Sequence, residues 1–200
     1  MNLFIRFIIA GCGAALFFFS LTVQVYRLQE GEFTALGIIL FYLLACFLFI
    51  VRFPSENTSL SLKHWVFALA GTFLPLFLLP NGEAPAYLLW VGLPLQSLGM
   101  GFTLIALISL GRCFGIIAAR RGVKTNGTYR LVRHPLYTGE AIWFFSIVIM
   151  NLSIYNVFLF CVQIGCQIQR MIEEESLLRK DPTYCAYLGQ VRYRMIPKLF

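Results

Sequence analysis

Two stretches in the second half of the chain hold most of its chemically capable side chains. The first, GRCFGIIAARRGVKTNGTYRLVRHP (111–135), carries six cations and no acid, and Asn126-Gly127 marks a tight turn within it. His134 precedes Pro135, which biases the histidine backbone away from helix just before an apolar arm that begins at Ala141. An imidazole in that position projects from a helix start at a membrane surface, where free amide groups suit a carboxylate or a phosphate. The second stretch, QRMIEEESLLRKDPTY (169–184), sets Arg170 and Glu174 four apart on one helix face, and Glu174 and Leu178 repeat the spacing. Glu173, Glu174 and Glu175 in succession repel one another, so as a partly buried patch they should attract a cation or protons. Asp181-Pro182 then reads as the N-cap and first turn of a final helix bearing Tyr184 and Tyr187. The plain alternative is a cytoplasmic basic loop and a solvated helix end, which need no ligand at all.

The elements that position these residues are written in the composition. Residues are 59% hydrophobic and only 12% charged, with a mean hydropathy of +0.77, which places the chain among integral membrane proteins. A single soluble core of 200 residues cannot hide that much apolar surface, whereas lipid solvates it directly. Apolar segments run over 3–26, 33–51, 65–79 and 86–110, giving four spans, the third short and interrupted by Pro75. The later stretch 141–171 is broken by NLSIYN (151–156), whose amides and serine are turn residues, so it reads as a helical hairpin. Its arms, about 12 and 16 residues, are shorter than a full span and expected to be partly buried among the other helices.

Charge orients this chain. With a cytoplasmic N terminus and a hairpin at 141–171, every Lys and Arg of the sixteen except Arg27 falls on the cytoplasmic side. A single span there would strand the last six of those cations opposite the basic loop, against the positive-inside bias. The loop at 111–135 and the tail at 170–200 therefore meet on one face. The expected fold is all-α, a multi-pass helical membrane protein with four N-terminal spans and a C-terminal hairpin. Residues 1–110 form the anchor and 111–200 the catalytic region. The net charge of +7 flanks apolar spans, so it reports cytoplasmic loops and anionic lipid rather than nucleic acid.

Other chemistries lack their signatures. Cys12, Cys46, Cys161 and Cys166 lie in apolar runs, and no cysteine spacing suits zinc or a disulfide framework, so no metal is expected. IAGC (9–12) imitates a lipoprotein cleavage box, but the apolar run continues to Val25, and the segment reads as an uncleaved anchor. GCGAAL and GMGFTL lack a third glycine and lie in apolar spans, which removes the dinucleotide loop. There is no Walker loop, HExxH pair or nucleophile elbow.

TNGTYRLVRHPLYTGE, followed about 35 residues later by EEESLL and DPTYCAYLGQVRYRMIP, resembles the membrane methyltransferases related to isoprenylcysteine carboxyl methyltransferase and phospholipid N-methyltransferase. The resemblance covers 109–200. It implies a cytoplasmic S-adenosylmethionine pocket built from the loop before the hairpin and the C-terminal tail. By the same resemblance Tyr129, His134, Pro135, Leu136 and Tyr137 line that pocket, with the run Arg121, Gly122, Val123 and Lys124 near it. The Glu-Glu-x-x-Leu frame falls on Glu174, Glu175 and Leu178, with Glu174 the leading cofactor contact. Arg170 matches an arginine directed at the methyl acceptor. Arg170, Glu174 and Arg133 are thus assigned to the reaction itself. Thr128, RKDP and Arg121 depart from the family's usual proline, phenylalanine-glycine pair and histidine.

The implied partners are the bilayer and an amphiphilic acceptor, with the active site on the cytoplasmic side of what reads as a bacterial inner membrane. An arginine facing the acceptor favours a carboxylate, as in carboxyl O-methylation of an isoprenylcysteine-like substrate. The alternatives are N-methylation of a phospholipid or other amine, which first needs a base, and a non-enzymatic protein that grips anionic lipid. A nicotinamide-dependent reductase of related fold is disfavoured by the short chain.

Overall fold

The computed structural model describes residues 3–54, 61–79 and 84–199; side chains of 3–14 and of 16 fall outside that description, and with them the readings placed on Arg6 and Cys12. Seven α-helices follow in order among the described residues: α1 (Leu3–Gln29), α2 (Thr34–Val51), α3 (Leu62–Phe73), α4 (Ala86–Leu110), α5 (Pro135–Met150), α6 (Ile154–Leu178) and α7 (Pro182–Gln190). Among the described residues there is no strand, so the all-α expectation holds. The structure is turned inside out relative to a soluble bundle. Ile50, Trp90 and Ile154 are more than four-fifths exposed, while Gln24, Gln96, Thr103, Asn156, Gln163, Gln167 and Arg170 are buried. Apolar groups outside and polar groups inside are what a lipid solvent selects.

All four segments read as spans are helical. Two helical stretches among the described residues, Thr34–Val51 and Ala86–Cys113, are long and apolar enough to cross a bilayer. The third segment is a 12-residue helix continued by a 3-10 turn over Leu74–Phe77, with Pro75 at its start. A proline lacks the N–H of the regular ladder, and the tighter turn takes up the break.

The hairpin turn lies where NLSIYN was read. α5 ends at Met150 and α6 begins at Ile154, with the Ser153 hydroxyl accepting from the Asn156 N–H at 3.1 Å as an N-cap. The Asn156 side chain locks this turn to α3's extension by exchanging bonds with the Leu79 N–H (3.2 Å) and carbonyl (2.9 Å). α5 also presses on α4 at two glycines. A Cβ on Gly99 would lie 2.5 Å from the Trp143 nitrogen, and one on Gly139 would lie 2.7 Å from the Thr103 nitrogen. Only glycine permits that backbone approach, the small-residue packing common between helices in lipid.

Candidate functional site

Loop 111–134 and the tail after α6 fold together, as the charge argument requires. The Arg133 N–H donates to the Tyr193 carbonyl at 2.9 Å, and the His134 N–H to the Arg194 carbonyl at 2.8 Å. The Tyr187 hydroxyl of α7 donates to the Tyr129 carbonyl at 2.6 Å. Asp181 caps α7 by accepting from the Thr183 N–H at 2.9 Å, which aims Tyr184 and Tyr187 inward.

Successive residues on a helix point about 100° apart, and the three glutamates consequently serve three partners. Glu173 faces α3, 3.3 Å from the His64 ring nitrogen Nε2. Glu174 accepts a short hydrogen bond from the Tyr137 hydroxyl. Glu175 is enclosed by two arginines and a histidine: Arg133 Nη1 at 3.2 Å, His134 Nε2 at 3.2 Å, and Arg194 through Nε at 3.1 Å and Nη2 at 3.0 Å. The expectation that the patch attracts a cation or protons is therefore corrected at Glu175, whereas burial does raise the Glu173 carboxyl above its ordinary value. Burial alone would raise the Glu175 carboxyl, but hydrogen bonds from His134 and Arg194 and the charge of Arg133 outweigh it and hold the group down at about 2. Among the described residues no cluster suits a metal ion.

Beneath this ion cluster lies a cavity of about 100 Å³. It is lined by Arg121, Gly122, Val123, Lys124, Tyr129, Arg133, His134, Leu136, Tyr137 and Glu174, together with Cys113, Ala118, Leu178, Tyr184 and Tyr187. Gly122 turns the chain at φ +102, a conformation few side chains tolerate, and so bends the 121–124 run along the wall. Two expected lining residues stand elsewhere. Pro135 is fully buried as the first residue of α5, and Glu175 is spent on its cations. Tyr184 and Tyr187, three apart on one face of α7, were expected on the final helix but not in the wall. Burial, then the Glu174 charge, raises the Tyr129 phenol well above its ordinary value; burial lifts that of Tyr187 to about 12, so both stay neutral hydroxyls. Arg121 Nε, Arg133 Nε and the Tyr184 hydroxyl are buried around this cavity without a hydrogen-bond partner among the described residues.

Arg170 lies behind the cavity wall. Its guanidinium sits 4.8 Å from the centre of the Tyr137 ring. Nη2 donates to the Ile116 carbonyl at 3.0 Å; Nη1 donates to the Gln167 side-chain oxygen at 3.0 Å and to the Thr72 hydroxyl at 3.3 Å. On its other side opens a second cavity of about 530 Å³, enclosed by α1 to α6. Phe19, Ile38, Phe41, Met100, Trp143 and Ile147 line it, with Gly71, Thr72, Glu140 and Gln163 near Arg170. Tyr137 lines the small cavity and Arg170, stacked on it, bonds Thr72 of the large one, so this pair connects the two walls as a partition. This second cavity escaped the reading of the sequence, although Gln163, Gln167 and Arg170 at spacings of four and three form a polar stripe inside an apolar helix.

Comparison with known proteins bears on the same region. Residues 87–181 match the family model described as phospholipid methyltransferase. The fold matches that of the eukaryotic intramembrane Ras methyltransferase, isoprenylcysteine carboxyl methyltransferase. That alignment covers all of this chain and 88% of the other, with a TM-score of 0.51 and 19% sequence identity. At that identity the likeness is one of fold. No curated protein matches. The family model spans the loop, the hairpin and the glutamate run, where most of the motif residues lie.

Proposed function

From this family likeness we propose that the protein is an S-adenosylmethionine-dependent methyltransferase of the membrane, acting on an amphiphile. The cofactor would occupy the polar cavity, and the acceptor would lie in the large apolar one with its head toward Arg170. The single observation that carries the reading is the stacked pair Tyr137 and Arg170, of which the first lines the small cavity and the second bonds Thr72 in the wall of the large one.

The residues around the small cavity fit the cofactor. Arg121 Nε, Arg133 Nε and the Tyr184 hydroxyl are buried donors without partners, which costs free energy unless a ligand satisfies them. Arg121, Lys124 and Arg133 suit a carboxylate; the Glu174 carboxylate, about one-quarter exposed, suits an ammonium or ribose hydroxyls. When bound, S-adenosylmethionine supplies an electrophilic methyl group on sulfur. This chain supplies position. The Glu175 cluster fixes the height of His134 and thereby the start of α5, and the Tyr137–Glu174 bond ties α5 to α6 beside the partition. Holding donor and acceptor in line at contact distance accounts for most of the rate such an enzyme needs.

Titration calorimetry of the purified protein with S-adenosylhomocysteine tests the reading. We expect saturable one-to-one binding, weakened by Tyr137→Ala, and transfer of a labelled methyl group to a membrane amphiphile. Absence of binding, with the protein folded, would leave a lipid-gripping membrane protein and overturn the proposal.

A further inference from the structure

The large cavity carries a carboxylate that the cofactor reading leaves without a task. Glu140 lies one and a half turns into α5, one turn beyond Tyr137, among apolar neighbours. One of its oxygens, Oε2, accepts from Gln167 Nε2 at 2.5 Å; the other accepts nothing from the described residues, and the residue lines the cavity. Gln167 in turn accepts from Arg170 Nη1, so the amide stands between guanidinium and carboxylate and bridges them. Arg170 has both terminal nitrogens engaged, on Ile116, Thr72 and Gln167. Glu140 lines the cavity whereas Arg170 is not part of its lining, and the cavity's other two charges, Arg27 and Glu32, pair with each other at 2.5 Å, so the charge left open to an occupant is the Glu140 acid.

This reverses the argument for an acidic acceptor. A carboxylate head placed there would meet Glu140 in a low-dielectric site, where like charges repel strongly. A cationic nitrogen would find a counter-ion already desolvated and held by Gln167, while its alkyl chain lay along Ile38, Phe41, Met100 and Trp143. Resting on the methyltransferase reading, we propose that Glu140 receives the nitrogen head of an amine amphiphile and takes its proton, selecting an amine over a carboxylic acid as the acceptor. The proton moves from the ammonium nitrogen to a Glu140 oxygen. The freed lone pair forms the new N–C bond while the C–S bond of S-adenosylmethionine breaks and its electron pair stays on sulfur. The product is again an ammonium, and the proton on Glu140 leaves to water after product departs.

Two single-chain probes of equal length, an alkyl amine and an alkanoic acid, test this on the full chain in nanodiscs. Binding is read by competition against a fluorescent amphiphile, beside labelled methyl transfer. Wild type should bind the amine at least about tenfold more tightly than the acid, roughly 1.4 kcal/mol. Glu140→Gln should bring the two within about threefold and cut transfer to the amine about a hundredfold, and Glu140→Asp should recover part of both. Affinity for S-adenosylhomocysteine should stay unchanged in both variants, which reports an intact fold. Equal or tighter binding of the acid to wild type, or an unaltered preference in Glu140→Gln, overturns the assignment. Failure of S-adenosylhomocysteine to bind wild type refutes the methyltransferase reading instead, and the amine-against-acid comparison still judges Glu140.

Discussion

The two cavities of this protein are built on opposite plans. The small one is walled by loop and tail segments clamped through charge, with Glu175 alone holding Arg133, His134 and Arg194. The large one is walled mainly by helices, its apolar side chains interspersed with polar ones such as Gln24, Thr103 and Gln163 and with the Arg27–Glu32 pair, and in it Glu140 keeps an oxygen open. A ligand of fixed shape and several charges suits a wall whose geometry is locked by saturated ion pairs. A flexible chain suits a smooth apolar wall with one polar contact at its end. The contrast predicts that damage to the first region will be structural and cooperative, and damage to the second selective.

The largest effect should come from Glu175→Ala. Removing it leaves Arg133 and Arg194 facing one another beside His134 at a buried site, and breaking a buried pair by deleting one partner costs about 3 kcal/mol. Thermal unfolding should show the loss, and S-adenosylhomocysteine binding should go with it; a variant of wild-type stability would break the claim that this cluster sustains the loop. Tyr137→Ala should weaken S-adenosylhomocysteine binding by about thirtyfold, near 2 kcal/mol, because it removes both a wall of the small cavity and the bond to Glu174. Gly71→Ala probes the other region. A Cβ there would come within 3.1 Å of the Gln167 side-chain oxygen and 3.2 Å of Arg170 Cδ, so methyl transfer should drop about tenfold with cofactor affinity unaltered. The smallest change is expected of Thr138→Ala. Its hydroxyl bonds only the His134 and Met195 carbonyls, and S-adenosylhomocysteine affinity should move by less than about threefold.

Acid sharpens the same comparison. Because the folded Glu175 carboxyl titrates at about 2, below the ordinary 4.5, its contribution is present above 4.5 and fades as pH falls toward 2. The gap in melting temperature between wild type and Glu175→Gln should accordingly be widest near neutrality and close over that window. A gap independent of pH would mean that packing, not charge, accounts for the difference.

Local signals were the legible ones. His134-Pro135 starts α5, Asp181-Pro182 caps α7, and NLSIYN turns the hairpin, each through backbone chemistry confined to a few residues. Charge sidedness brought loop and tail together because it sums over the whole chain. The direction of each glutamate was not legible: three identical residues in a row carry no mark of which meets His64, Tyr137 or Arg133, and tertiary contact decides. The large cavity was hidden for a related reason. Its lining is gathered from six helices far apart in the chain, and nothing in the sequence marks Glu140 as a neighbour of Gln167, twenty-seven residues on.

Gly99 and Gly139 have a bearing on all of this. Where two helices touch main chain to main chain, neither can slide without a clash, so α4 acts as a fixed rule against which α5 is measured. Tyr137 and Glu140 stand on either side of the Gly139 mark. The depth at which each presents its oxygen is set by the absence of a single methyl group, and Gly139→Ala would shift both out of gauge together.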